Sequence, residues 1–145
     1  LVAELRRGLD RIRERSAAAP RLRVFVEEWA DPLISGIQWV EELVEIAGGV
    51  PIFPELRTAG LARDRIVKPE DVIARQPDVI VASWCGKPVR TDRIAARPGW
   101  ADLPAVRNGH VHEIKSALIL QPGPAALTDG VMELERILTR ARERL

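Results

Sequence analysis

Acidic and aromatic side chains stand directly after the first apolar strand that the sequence predicts. Residues 24–26 are Val-Phe-Val, which is typical of a buried strand, and Glu27, Glu28 and Trp29 follow at once. Paired carboxylates can exchange protons with a substrate, and exposed aromatic rings can hold a large planar or apolar ligand. In open α/β sheets ligands bind outside the carboxyl ends of the strands, so this segment is the first candidate site.

A second aromatic side chain, Trp84, follows the apolar run of residues 79–82. A run that is apolar at every position is typical of a strand covered on both faces by helices. Because parallel strands end at the same edge of a sheet, we expect Trp29 and Trp84 to lie at one rim, with Cys85 beside them. Trp39, in the first turn of the next predicted helix, could lean toward the same rim. Each tryptophan could instead pack in the core, because tryptophan is usually highly buried.

Few other signatures of catalysis are present. The sequence has no G-x-S-x-G elbow, no G-x-G-x-x-G and no phosphate-binding loop. His110 and His112 are two positions apart, which puts both on one face of a strand, but no cysteine or carboxylate cluster accompanies them. We therefore predict neither a metal site nor a catalytic residue. The alternative is a small α/β enzyme that uses Glu28 with Cys85 or His112, which requires these side chains to converge.

Helices and strands alternate along the predicted chain. We predict helices over residues 1–18, 37–47, 69–75, 90–96 and from 124 onward, and strands over residues 22–27, 50–53, 79–82 and 110–114. Glu27, Glu28 and Trp29 would open a turn, and Ser35 with Gln38 has the spacing of a capping box at the second helix. Residues 116–123 would form a loop. This alternation predicts an α/β fold, a small parallel, Rossmann-like sheet of about four strands with helices on both faces.

Composition and charge narrow the class of protein. Of the 145 residues 46% are hydrophobic, which suits one folded α/β domain. The 22 basic and 21 acidic residues leave a net charge of +1, so the charge balance gives no reason to propose nucleic acid as a partner. Cys85 is the single cysteine, and no apolar stretch is long enough to embed the chain in a membrane. Because Leu1 reads as the middle of a helix, we predict a piece of a longer protein or a mature form cut from one.

Three stretches, taken in order, carry a resemblance to a known family. They are EEWADPLISGIQWVEELVEIAGG, VKPEDVIARQPDVIVASWCG, and GWADLPAVRNGHVHEI followed by LQPGPAALTDGVMEL. The series resembles the carboxyl-terminal lobe of the helical-backbone class of periplasmic substrate-binding proteins of ABC importers. Within that class the cobalamin-binding proteins are the most similar branch. The resemblance implies that residues 1–19 are the backbone helix between two lobes, that residues 20–145 are the C-terminal substrate-binding lobe, and that the amino-terminal lobe is missing.

The resemblance also implies a function. It implies a binding protein, not an enzyme, that has no cofactor of its own and holds a large metal chelate such as cobalamin, haem or a ferric siderophore. The chelate would be delivered to an ABC importer permease from the periplasm or another extracytoplasmic space. Glu28, Trp29 and Trp84 would face the ligand cleft, and Gln121 ends a segment where cobalamin binders place ligand contacts. Glu70 stands where the family has an acidic residue that docks onto arginines of the permease.

Two further alternatives stay open beside transport. A cytoplasmic or regulatory relative of the binding proteins would share the fold without serving an importer. The small α/β enzyme would share the rim but would use its carboxylates for chemistry. The enzyme differs from the transport hypothesis at the rim, because it needs converging reactive groups where a binding wall needs aromatic surface. A full gene without a signal segment would favour the cytoplasmic relative.

Overall fold

Strands and helices alternate along residues 1–121 and 123–144, which are the residues that the computed structural model describes. The strands are β1 Leu22–Ala30, β2 Leu33–Ser35, β3 Gly49–Pro51, β4 Val79–Ala82 and β5 Val111–Glu113. The α-helices are α1 Val2–Ala17, α2 Gln38–Ile46, α3 Pro69–Arg75, α4 Thr91–Ala95, α5 Pro104–Arg107, α6 Ser116–Ile119 and α7 Val131–Arg142. A π-helical stretch, Ala126–Gly130, leads directly into α7.

Four parallel strands form the sheet, in the order β3-β1-β4-β5. Val24 of β1 pairs with Val79 of β4, and Ile80 of β4 pairs with Val111 of β5. The remaining strand, β2, is antiparallel and lies beside the second half of β1. The predicted small parallel sheet of about four strands is therefore confirmed, with one antiparallel strand added at its edge.

Helices cover both faces of this sheet, as predicted. Alternate residues of a strand point to opposite faces, and β1 shows this directly, because Val24 and Val26 are buried in one apolar cluster and Phe25 in the other. The first cluster includes Ile12 of α1, Val40 of α2 and Leu134 of α7. The second includes Val72 of α3, Ile94 of α4 and Ala105 of α5. Two clusters of this kind give the three-layer architecture of an α/β protein.

The strand β1 is longer than the sequence predicts. It continues past Glu27 to Ala30, so Glu28 and Trp29 lie in the strand and the predicted turn at these residues is wrong. The chain then folds back as β2, in which Ser35 pairs with Glu27 and Leu33 pairs with Ala30. This hairpin supplies partners for backbone groups that would otherwise be unpaired, and it extends the strand through an acidic segment with weak strand propensity.

The predicted capping box at the start of α2 is also wrong. Ser35 belongs to β2, and the residue at the helix N-cap is Ile37, whose side chain cannot cap. Gln38 donates its side-chain N–H to Glu42 on the same helix instead of reaching back. The pairing of Ser35 with Glu27 draws the serine into the sheet, so the helix begins later than the S-x-x-Q spacing indicates.

Most other predicted boundaries agree with the structure. The helix α2 ends within one residue of its predicted end, and Gly48 follows it with a φ of +96°, a conformation that favours glycine. Residues 116–123 are not entirely a loop, because they contain the short helix α6. His110, just before β5, and His112, within it, stack their rings with centroids 6.2 Å apart, which agrees with the prediction that both lie on one face. Within the described ranges, no helix combines the length and the apolar character that crossing a membrane requires.

Candidate functional site

Trp29 and Trp84 lie at one rim of the sheet, where β1 and β4 end. Together with Ala30, Asp31 and Lys87 they line a cavity of about 120 Å³, called here the Trp29 cavity. The ammonium group of Lys87 lies 5.7 Å from the centroid of the Trp29 ring, within the range of a cation–π contact. Sites that enclose a ligand are several times larger, so this cavity by itself is too small to enclose one.

A buried ion pair orients Trp84. Its indole N–H donates to Oε2 of Glu27 at 3.0 Å, and Glu27 is fully buried. Arg97 closes the group with two hydrogen bonds to the same carboxylate, at 2.6 and 2.9 Å. A paired and fully hydrogen-bonded buried carboxylate holds its neighbours in one arrangement, so the Trp84 ring is fixed before any ligand arrives.

Glu28 is engaged within the fold. One carboxylate oxygen accepts a hydrogen bond at 2.6 Å from the backbone N–H of Ile37, the N-cap residue of α2. The other accepts from Arg65 at 2.9 Å, and Arg65 also donates to the carbonyl of Ser35 at 2.7 Å. Glu28 therefore does the capping that the sequence assigned to Ser35. Of the two residues predicted to face the cleft from β1, only Trp29 lines the rim cavity.

A second cavity, of about 380 Å³, adjoins the first at the end of β5. It is called here the Ser116 cavity, and its lining residues are Gly86, Lys87, Pro88, Glu113, Lys115, Ser116 and Ala117. Lys87 lines both cavities, so its side chain lies between them. Ser116 begins the segment, ending at Gln121, where the resemblance implies ligand contacts, whereas Lys87 was not predicted. The position of Lys87 just after strand β4 is the signal that could have found it, because loops at the carboxyl ends of parallel strands carry the ligand contacts.

The remaining predicted contacts lie apart from these two cavities. The indole N–H of Trp39 donates to the carbonyl of Ile119 at 3.0 Å, which ties α2 to α6, and the half-buried ring packs against the apolar cluster of that face. Cys85 is an exposed free thiol in the loop after β4. Gln121 is exposed. None of the three lines the Trp29 or the Ser116 cavity, and their role in binding stays a prediction.

Glu70 is exposed in the first turn of α3. This helix joins the parallel strands β3 and β4 and runs back against them, so its first turn lies toward the carboxyl edge of the sheet. No salt bridge within residues 1–121 and 123–144 involves Glu70. Its carboxylate is therefore available on the surface that borders the rim.

The groups required by the enzyme alternative do not form a hydrogen-bonded set. Glu28 bonds to Ile37 and Arg65, whereas His112 lies against the ring of His110 on β5. Burial lowers the pKa of His112, and the neighbouring imidazole and two arginines of α7 lower it further. In the described part of the chain, no hydrogen bond joins Glu28, Cys85 and His112, and no group of three or more potential metal ligands is present.

A larger cavity lies elsewhere, between α1 and α7. Its volume is about 990 Å³, and charged side chains such as Arg15, Glu135, Arg136 and Arg140 line it. It shares no lining residue with the Trp29 or the Ser116 cavity. Size alone does not make it the better site, because none of its described lining residues is aromatic and two of its cations already pair with carboxylates, Arg15 with Glu135 and Arg136 with Glu133.

Known proteins match this chain over most of its length. A family model described as "Periplasmic binding protein" matches residues 1–118. A vitamin B12-binding protein of Vibrio campbellii is 32% identical over 123 residues, which cover 83% of this chain and 42% of that protein. A vitamin B12-binding protein of Vibrio parahaemolyticus is 29% identical over 144 residues, which cover 97% of this chain and 50% of that protein. The chain thus spans about half the length of the curated relatives that it matches.

Solved structures show the same fold. The periplasmic vitamin B12 binding protein of Vibrio cholerae superposes with a TM-score of 0.70 at 27% identity, over 95% of this chain and 52% of that one. A possible iron-binding, periplasmic solute-binding protein of Staphylococcus epidermidis superposes with a TM-score of 0.79 at 21% identity, over 94% of this chain and 53% of that one. At that lower identity the likeness concerns the fold alone.

Proposed function

Because this chain belongs to the periplasmic binding protein family, we propose that it forms one wall of a cleft that captures a large metal chelate for an ABC importer. The observation that carries the proposal is the pair of tryptophans, Trp29 and Trp84, beside one cavity at the carboxyl rim. The half-buried Trp29 ring offers apolar, polarisable surface to a planar macrocycle. Trp84, which is only 7% exposed, lines the same cavity and is held in place by the Glu27–Arg97 pair.

A corrinoid is the chelate that we propose first. Two relatives and one solved neighbour are named as vitamin B12-binding proteins, and haem and ferric siderophores follow as the related ligands. The Trp29 cavity has only about 120 Å³, so one wall alone encloses little of such a ligand. A second lobe, joined through a backbone helix at residues 1–19, would supply the facing wall.

Delivery to a permease completes the proposed function. We propose that Glu70 docks onto cationic side chains of the permease, because its carboxylate is exposed near the rim and forms no salt bridge with the described residues. An exposed charge of this kind contributes mainly to the rate and specificity of association. Docking of this kind places the protein in the periplasm or another extracytoplasmic compartment.

Calorimetric titration tests the ligand. The protein expressed from its complete gene is titrated with cyanocobalamin, haemin and a ferric hydroxamate, and we expect cyanocobalamin to bind most tightly. Trp29→Ala removes a ring from the wall and should weaken that binding about tenfold, which corresponds to roughly 1.4 kcal/mol.

Met132→Ala is the matched control. Met132 is also exposed and apolar, but it lines only the cavities along α7, so we expect unchanged affinity. If the folded wild-type protein binds none of the three chelates, the proposed function is wrong. If it binds one of them and Trp29→Ala binds equally well, the chelate lies elsewhere than on the Trp29 cavity.

A further inference from the structure

Lys87 lies between the two rim cavities. It follows Gly86 in the loop after β4 and lines both the Trp29 cavity and the Ser116 cavity. Its ammonium group is near the Trp29 ring, 5.7 Å from the centroid, and the side chain is exposed. A ligand resting on the tryptophan wall would therefore meet this cation at its edge.

The charge of Lys87 is not neutralised by the carboxylates around it. In the Ser116 cavity, Glu113 already pairs with Lys115 at 3.1 Å and accepts a second hydrogen bond from the backbone of Val89 at 2.8 Å. Asp31 lines the Trp29 cavity, yet no oxygen of it lies within 4.0 Å of the Lys87 ammonium group. Within the described residues, Lys87 thus has no salt-bridge partner, whereas Lys115 and the rim arginine Arg97 each have one.

Two further hydrogen-bond donors stand next to Lys87. The backbone N–H of Gly86 points toward the hydroxyl oxygen of Ser116 at 3.4 Å, a long contact that leaves the donor weakly satisfied. The Ser116 hydroxyl carries a proton of its own, and both residues line the same cavity. Apart from Gly86 and its two chain neighbours, no atom of the described residues lies within 4 Å of the position that a Gly86 side chain would occupy, so the loop is open there.

We propose that Lys87, the Gly86 N–H and the Ser116 hydroxyl form a subsite for an anionic group at the edge of the chelate. The subsite rests on the proposed function, because it assumes a chelate on the Trp29 wall. It takes a phosphodiester or a carboxylate, since such a group accepts several hydrogen bonds at once and gains from an unpaired cation. The flat part of the ligand then contacts tryptophan, and the anion fixes how the ligand lies on it.

Two ligand sources share this chemistry. The phosphodiester of the nucleotide loop supplies the anion in cobalamin, and cobinamide, the same corrin ring without that loop, has no phosphodiester. Haem supplies carboxylates at the edge of a porphyrin. Comparing cobalamin, cobinamide and haemin on one protein therefore distinguishes the phosphodiester source from the carboxylate source.

The test compares four forms of the full protein by calorimetry. Lys87→Met removes the charge and keeps the length of the side chain, and Lys87→Arg keeps the charge. Arg107→Met is the control, because it removes one exposed cation at the other end of the sheet, just before β5. We expect Lys87→Met to weaken binding of the anionic ligand about tenfold and to leave cobinamide unchanged. Lys87→Arg should restore most of the affinity, and Arg107→Met should match the wild type. Rising salt should weaken the wild type more than Lys87→Met.

The outcomes separate this subsite from the proposed function. If the wild type binds no chelate, the proposed function fails and the subsite fails with it. If the wild type binds cobalamin or haemin and Lys87→Met binds it equally well, only the subsite is wrong. An equal loss of cobinamide and cobalamin in Lys87→Met also overturns the subsite, because it shows a loss of shape and not of an anion contact.

Discussion

Glu41 is a buried carboxyl group on the apolar face of α2. Its side chain is 2% exposed, and burial raises its pKa to about 8, with Glu28 and Glu45 raising it further and Arg57 opposing the shift. In the unfolded chain this carboxyl has its ordinary pKa near 4.5 and loses its proton first. The contribution of Glu41 to the free energy of unfolding is therefore fully present below pH 4.5. It is lost as the pH rises from 4.5 toward about 8.

Glu41→Gln should remove this loss of stability. Between pH 5 and pH 8 we expect the free energy of unfolding of the wild type to fall by on the order of 3 kcal/mol because of this group, at 1.36 kcal/mol per unit of pKa difference. The Glu41→Gln variant should not show this fall. Urea denaturation at both pH values measures the difference. Glu14→Gln, at an exposed site on α1, is the control and should keep the wild-type pH dependence. Identical pH profiles for Glu41→Gln and wild type would show that Glu41 is ionised in the folded protein.

The ion pair between Glu28 and Arg65 connects the β1–β2 hairpin to the segments around it, and Glu28 also bonds to the start of α2. Glu28, in β1, caps the helix at Ile37 and pairs with Arg65, which is 3% exposed and also bonds to the carbonyls of Ser35 and Ala59. A single arginine thus connects β1, β2 and the segment before α3. Breaking a buried pair from one side leaves the other charge without its partner, which is the costly case.

Glu28→Gln should therefore destabilise the protein by about 3 kcal/mol. Glu42→Gln, whose half-exposed carboxylate lies 3.9 Å from Arg57, should cost less than about 1 kcal/mol. Urea denaturation at pH 7 compares the two variants. A loss of chelate affinity in Glu28→Gln without a loss of stability would instead assign Glu28 to the ligand, as the resemblance implies.

At the scale of the whole molecule, the proposed ligand wall and the proposed permease-docking residue lie toward the same edge of the sheet. The rim cavities and the first turn of α3 both lie toward the carboxyl ends of the strands, so a bound chelate and Glu70 would face related surfaces. The two roles use different residues, because Glu70 lines neither rim cavity. Ligand capture and docking can therefore be altered separately by substitution.

Glu70→Arg should weaken association with the permease without changing the affinity for the chelate. Reversing one exposed charge at a docking surface should lower the association rate about tenfold, and less so at high salt. Binding kinetics on the purified permease in nanodiscs measure this. Asp71→Arg reverses the neighbouring exposed charge in the same turn and should have a smaller effect. An equal fall in the association rate for both variants would indicate that only the net charge of this surface matters. An unchanged association rate for Glu70→Arg would rule out the docking role.

The apolar patterns of short sequence segments were enough to predict the layered architecture of this protein and the position of the rim where β1 and β4 end. The apolar run of β4 and the extent of α2 were predictable because each depends on the burial or conformation of one short segment. That Trp29 and Trp84 share a rim was predictable as well, since parallel strands end at one edge. Family membership followed from the order of three loose motifs and is confirmed by the match over residues 1–118.

Only the tertiary structure decided what the polar residues do. Glu28 and Arg65 lie far apart in the sequence, and the hairpin of β1 and β2 brings them together, so no local spacing could assign the cap to Glu28. In the sequence Lys87 is one of several loop lysines, and only the folding of β4 and β5 into one sheet places it between two cavities. Periodicity reports which face of a segment is buried, whereas pairing between distant side chains depends on the path of the whole chain. The shared rim of Trp29 and Trp84 was therefore predictable from sequence, and the surroundings of Lys87 were not.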